Sequence, residues 1–246
     1  MSELLIAIIS AITSVVVVLV TYSLNAYRES KQEEKQKAED IISAYLNPLR
    51  FYLVENYFRL AEILKRATQE DDKSKIPVYV SSPEEISAQP SEWFNGHGCY
   101  LISSCYLTAR LFYQLDKVRQ DLSYLRLSQK NDTELITLIT ILSRHFGQDY
   151  GIYYLIQPSI GTDMYLAEQD RLITYREFCQ RLQDANTRVW FDRLLAFYIA
   201  TAQGKNPKRV ENILGAIQNL SLFLDQMVGG GSSLKERLEI EGIKSL

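Results

Sequence analysis

Apolar positions follow different rules in different parts of this chain. From Leu4 to Leu24, LLIAIISAITSVVVVLVTYSL, they run without period and without a charge for 21 residues. About 20 apolar residues, at 1.5 Å rise each, cross a hydrocarbon core of roughly 30 Å. The hydroxyls of Ser10, Thr13, Ser14, Thr21 and Ser23 can bond back to helix carbonyls, which lipid tolerates. The stretch therefore predicts a single-pass transmembrane anchor over residues 1–24, with membrane lipid as its first partner. A cleaved signal peptide would want a basic leading region, a shorter apolar run and a small-residue cleavage site. Here Glu3 precedes the run, and Tyr27, Arg28 and a charged segment follow. Arg28, Lys31, Lys35 and Lys37 on the C-terminal flank predict a cytoplasmic soluble domain with the short N-terminus outside.

Residues 25–46 change to strong helix formers with alternating charge. Glu33 with Lys37, and Lys31 with Glu34, stand at favourable helical spacings, so the segment reads as a charged helical stalk. A helical period then takes over. Asn47-Pro48 has the form of a helix start, with Asn47 as the cap. Leu49, Leu53, Tyr57, Leu60 and Leu64 mark one apolar face of a helix ending near Thr68. Pro77, Pro83, Pro90, Gly96 and Gly98 make 69–98 a long irregular stretch, in which Ser82-Pro83-Glu84-Glu85 can open one short helix.

Cys99 to Lys117 is apolar over most of a helix circumference and belongs in the centre of a core. Residues 121–131 read as a connection. Asp132 caps a helix to about His145, with Leu135, Leu138, Ile139 and Leu142 inward. Gly151 to Gly161, GIYYLIQPSIG, is equally an extended loop or one short strand. Thr174 and Glu177 form a capping box for a helix to about Leu182. Residues 187–202 form another, with Val189, Trp190, Leu194, Phe197 and Tyr198 inward. Asn206-Pro207 opens a helix to about Met227 with Ile213, Leu214, Ile217, Leu220 and Leu224 as its stripe. Gly229 to Gly231 is a hinge, and residues 229–246 end in a short helix opened by Ser233 and Glu236 and set apart from the core. The fold class is all-α: a transmembrane helix and stalk, then an irregular helical bundle over 47–228.

Composition narrows function more than it names it. A net charge of −3 gives nucleic acid no general attraction. Three cysteines at irregular spacing are no disulfide framework and suit a reducing compartment. His97 and Cys99, with Cys105 nearby, resemble a fragment of a zinc site but fall short of four ligands in paired spacing. Buried structural thiols explain the cysteines better. Asp163, Glu168 and Asp170, with Arg171, Arg176 and Glu177, form a charge-rich patch without the ordered spacing of a calcium loop. Sixteen tyrosines offer core packing or a partner surface. The candidate site residues are His97, Cys99, Cys105, Asp163 and Glu177, with no residue assigned to catalysis, cofactor or metal, and no cofactor expected.

Gly96 to Arg119 (GHGCYLISSCYLTARLFYQLDKVR) resembles a family of uncharacterised membrane-anchored helical proteins of cyanobacteria. The likeness extends over Tyr45-Leu46-Asn47-Pro48-Leu49, GIYYLIQPSIG, Leu172 to Cys179, Trp190 to Ile199 and the triple glycine, most of residues 45–243. It implies a plasma or thylakoid membrane and an uncharacterised helical domain. It supplies no activity, cofactor or catalytic residue. The favoured reading is a non-catalytic interaction or assembly factor that recruits a protein partner, or a second copy of itself, at the membrane. The rival is a membrane-associated enzyme whose site joins the 91–99 loop to the acidic 163–177 stretch.

Overall fold

The computed structural model describes the backbone of residues 2–68, 78–125, 129–228 and 233–240. Within these it describes side chains from residue 17 onward, except at 34, 38, 122–125, 129, 233, 235 and 240. The chain divides into two units, residues 1–44 and 45–246.

The first unit is the helix α1 (Ser2–Ile41), followed by the opening of a π-helical turn, Ile42–Leu46. Val17, Val18, Leu19 and Val20 are each 52–65% exposed, so consecutive apolar side chains face outward around the whole circumference. Thr21 and Ser23 donate their hydroxyls to the carbonyls of Val17 and Leu19, four residues back. Lys37 with Glu33, and Lys35 with Glu39, pair at one-turn spacing in the charged half. Among the described residues no helix is long and apolar enough to cross a membrane. The side chains of residues 4–16, most of the expected anchor, lie outside those described.

The second unit is helical almost throughout, in agreement with the all-α expectation. It opens with α2 (Asn47–Ala67), then α3 (Ser91–Asn95), α4 (Cys99–Leu125) and α5 (Gln129–Gly147). After α6 (Ile156–Thr162) comes a two-residue antiparallel pair, β1 (Tyr165–Leu166) with β2 (Arg171–Leu172). The rest is α7 (Tyr175–Gln183), α8 (Ala185–Arg188), α9 (Asp192–Ala202), α10 (Pro207–Val228) and α11 (Ser233–Ile240). The helix α4 is the hub. It packs against α2, α3, α5, α6, α7 and α9, while α10 lies across α2 and α5.

The stripes read from the sequence are buried: Leu49, Leu53, Tyr57, Leu60 and Leu64 on α2, and Ile213, Leu214, Ile217, Leu220 and Leu224 on α10. Each such side chain contributes about 1.5–3 kcal/mol on leaving water. A polar chain runs through the same core. Asn56 donates to the carbonyls of Tyr52 (2.7 Å) and Leu107 (3.2 Å), and Thr108 donates to the Asn56 Oδ1. With the Thr108 proton spent there, the Tyr198 hydroxyl at 2.6 Å is the donor to Thr108. At the edge, Arg50 and Asp225 form a largely buried ion pair between α2 and α10.

Several local expectations are corrected. Asn47 does not cap α2. Leu46 already has helical backbone (φ −77°, ψ −41°), and the π-helical turn precedes Pro48, whose ring cannot follow a regular α-turn. Residues 121–125 continue α4, and Asp132 lies inside α5 instead of capping it. Gly151 to Gly161 is neither strand nor extended loop at its end, since Ile156–Thr162 is helical. A β-carbon on Gly161 would stand 2.6 Å from the Tyr113 amide nitrogen, so glycine alone lets α6 seat on the α4 backbone. The described part of the irregular stretch is packed: Pro83–Ala88 is a 3-10 helix, and Val80, Ile86, Trp93 and Phe94 are buried. The helix expected over 187–202 breaks after Arg188, whose guanidinium reaches back to the Pro83 carbonyl (3.1 Å). Val189 and Trp190 therefore turn outward, Trp190 being 62% exposed. The last helix is docked: Leu234 and Leu238 are buried, and Arg237 pairs with Glu55 and covers the Phe58 ring at 4.6 Å. The triple-glycine hinge lies outside the described residues.

Candidate functional site

The acidic half of the candidate site is built from the capping box of α7. Thr174 has extended backbone, and its hydroxyl accepts from the Glu177 amide (3.3 Å). Glu177 answers by accepting from the Thr174 amide (2.7 Å) and hydroxyl (3.0 Å). The hairpin between β1 and β2 turns through Asp170 at φ +48° and places Arg171 opposite the same carboxylate. Its two terminal nitrogens donate to the two Glu177 oxygens at 2.8 and 2.6 Å. Arg171, and after it the Thr174 amide, hold the Glu177 carboxyl well below the usual carboxylate range. Such a carboxylate is ionised, with its lone pairs occupied, and is a poor proton acceptor at neutral pH.

Asp163 caps the end of α6, and its backbone carbonyl accepts from Arg181 of α7. Burial raises its carboxyl above the ordinary value, and the Arg181 charge opposes that rise. Beside these groups a shallow cleft of about 310 Å³ is lined by Leu166, Ile173, Glu177, Arg181 and Asp184 among others. Glu168 and Asp170 are exposed on the hairpin.

The other half is held by aromatic packing. Gly98 lies against the Trp93 ring, where a β-carbon would fall 2.2 Å from the nearest ring atom. His97 is exposed, with its ring 4.5 Å from that of Tyr79. The two halves do converge, though on Tyr175. Its hydroxyl donates to the Phe94 carbonyl (3.0 Å) and lies beside the thiols of Cys99 and Cys179. Gln183 donates to the Ser91 hydroxyl (3.1 Å) at the far end of the same seam. Tyr106 packs edge-on against Tyr175 at 5.7 Å and lies 5.6 Å from Phe178. Burial raises both the Tyr175 hydroxyl and the Cys179 thiol.

Cys105 belongs to neither half. It is fully buried on α4 with Sγ 4.0 Å from the Leu194 carbonyl, and burial pushes its thiol well up. A protonated, enclosed thiol is a packing group. Among the described residues no three or more His, Cys, Asp or Glu side chains are grouped so as to hold a metal ion.

No family model, curated protein or solved structure matches this chain.

Sequence reasoning passed over the turn between α5 and α6. Asp149 (φ +50°) and Tyr150 (φ +61°) are successive non-glycine residues in the left-handed region. Arg209, buried at the start of α10, donates Nη1 to the carbonyls of Gln148 (2.9 Å) and Asp149 (3.3 Å). The available signal was the Gly147-Gln148-Asp149-Tyr150-Gly151 composition, which marks a turn without marking what the turn displays.

Proposed function

We propose that the chain is a membrane-anchored, non-catalytic interaction or assembly protein whose helical domain recruits a protein partner at the membrane. The run of exposed apolar side chains Val17, Val18, Leu19 and Val20 on α1 carries this reading. Water does not favour four adjacent aliphatic groups facing all sides of a helix, whereas lipid does. The uncharged sequence from Leu4 to Leu24 supports the same placement, and the basic flank from Arg28 to Lys37 supports a cytoplasmic domain. The likeness to cyanobacterial membrane-anchored proteins belongs to this proposal and adds no activity to it. Two candidate groups serve structure in ways that fit a binding protein: Glu177 is spent on its cap and on Arg171, and Cys105 on packing.

The test is alkaline carbonate extraction of membranes from cells expressing the full chain. Retention in the pellet, with release by detergent and co-purification of a specific partner after mild solubilisation, is the expected result. Quantitative release by carbonate removes the anchor, and a chain that runs alone and monomeric under several crosslinkers removes recruitment.

One observation favours the enzymatic rival, a membrane-associated enzyme joining the 91–99 loop to 163–177. The Tyr175 to Phe94 bond draws these distant segments together. On that reading Tyr175→Phe abolishes a turnover that can be assayed with extracts of the native membrane. On the binding reading it changes stability alone.

A further inference from the structure

The turn joining α5 to α6 displays aromatic side chains on an unusually constrained backbone. Tyr150 is 97% exposed, and Tyr153, Tyr154 and Leu155 are each about half exposed or more. The Tyr153 and Tyr154 rings touch, with centroids 4.7 Å apart. Two adjacent residues with positive φ cost free energy that a solvent loop has no reason to bear. Here the surroundings impose it. Arg209 clamps the Gln148 and Asp149 carbonyls from below, the Gly151 amide closes on the Gln148 carbonyl (2.9 Å), and the Ile152 amide bonds the Phe146 carbonyl (2.8 Å). Ile152 is fully buried, and Gln157 donates to its carbonyl at 2.7 Å. A β-carbon on Gly151 would meet the Phe146 carbonyl at 2.2 Å. Buried side chains of α10 and α6 thus hold the tip in one shape and turn its rings outward.

The chemistry of the tip selects its occupant. Tyr150 to Leu155 carries no charge. Its tyrosines join an apolar ring to a hydrogen-bonding end, the combination that settles at the level of lipid headgroups. The tip projects, so it suits insertion into a soft interface better than cover by a preformed pocket. The charges the structure places at the turn offset one another: the Arg209 guanidinium beneath it stands against Asp149, and Lys208 is paired with Glu211 at 3.1 Å. We infer that the Tyr150 to Leu155 turn is a second membrane contact, which seats its tyrosines and Leu155 in the headgroup region of a bilayer by an apolar, salt-insensitive interaction. This rests on the membrane placement proposed above and adds a contact to it.

The experiment uses the full chain in phosphatidylcholine vesicles, with Trp190→Phe to remove the exposed native indole. Tyr150→Trp is added to that background, and the difference in emission between the two proteins is read. The expected result is blue-shifted emission, quenching by lipids spin-labelled near the headgroup, and an iodide quenching constant at least about twofold lower than in detergent-free urea, unchanged between low and high salt. Emission at the water-exposed wavelength with full iodide access, in protein that carbonate does not extract, overturns the contact and leaves the anchor standing. Protection that appears only when a protein fraction is added assigns the turn to a protein and likewise overturns it. Extraction by carbonate removes the anchor itself. Because Tyr150 is almost fully exposed, Tyr150→Trp should not disturb folding. Tyr154→Trp in the same background repeats the reading from a second position.

Discussion

The helix α1 and the helix α2 contain the same kinds of apolar residue and use them in opposite ways. On α2, leucines recur every three or four residues, and Leu49, Leu53 and Leu60 are completely buried. On α1, Val17 to Val20 are consecutive and all more than half exposed. Period, more than hydrophobic content, separates a helix that completes a core from one that leaves its apolar side chains exposed, the helix proposed above to lie in lipid. The same change on each helix should therefore have different consequences.

The sharpest way to break the comparison is truncation. Leu53→Ala on α2 should lower the stability of the second unit by about 3–5 kcal/mol, because Leu53 is completely buried. Val18→Ala should leave the same denaturation midpoint unmoved. A shared effect would mean that α1 is part of that cooperative unit. Adding a charge reverses the ranking. On the proposed membrane placement Val18→Lys should cost up to about 3 kcal/mol of insertion, read as loss from the carbonate-resistant pellet, with the near-ultraviolet circular dichroism of the helical domain preserved.

The polar chain in the core is the next test. Thr108→Val removes the group that serves both Asn56 and Tyr198, and should cost about 2 kcal/mol in chemical denaturation. A neutral outcome would show that the core is loose enough to repair itself. At the surface, Thr174→Ala should cost about 1 kcal/mol through loss of the α7 cap. The partner carboxylate adds a pH signature. The folded Glu177 group titrates below its unfolded value, so its contribution is complete above the ordinary carboxylate range and fades as pH falls through the lower folded value. Glu177→Gln should therefore flatten the acid limb of the stability profile. Asp163 has the opposite sign, because burial raises its carboxyl. Asp163→Asn should stabilise slightly at neutral pH, and the gain should vanish in acid. The smallest effect belongs to the strained turn. Tyr150→Gly should raise stability by about 0.5 kcal/mol, as relief of a positive φ outweighs the added freedom of the unfolded chain.

Legibility in the sequence followed the reach of each interaction. The α2 and α10 stripes and the Thr174 to Glu177 box rest on neighbours within one or two helical turns, and all were readable. Trp190 was misplaced because the helix containing it breaks where Arg188 reaches a carbonyl 105 residues earlier in sequence. The docking of α11 depends on Glu55 and Phe58, which no local pattern connects to Arg237. Of the candidate site, the Glu177 cap was visible as a spacing, whereas the meeting of Cys99, Tyr175 and Phe94 is a product of tertiary packing alone.

Gly161 reaches further than its own contact. It lets α6 rest on the backbone of α4, and the chain leading into α6 holds Ile152 and the rings displayed before it. Any side chain there acts as a shim under one end of a lever. The seat of α6 lifts, Gln157 loses its hold on Ile152, and a tip more than ten residues upstream changes its aim although no atom of it has been altered. One missing methyl group thereby bears on where the almost fully exposed Tyr150 points.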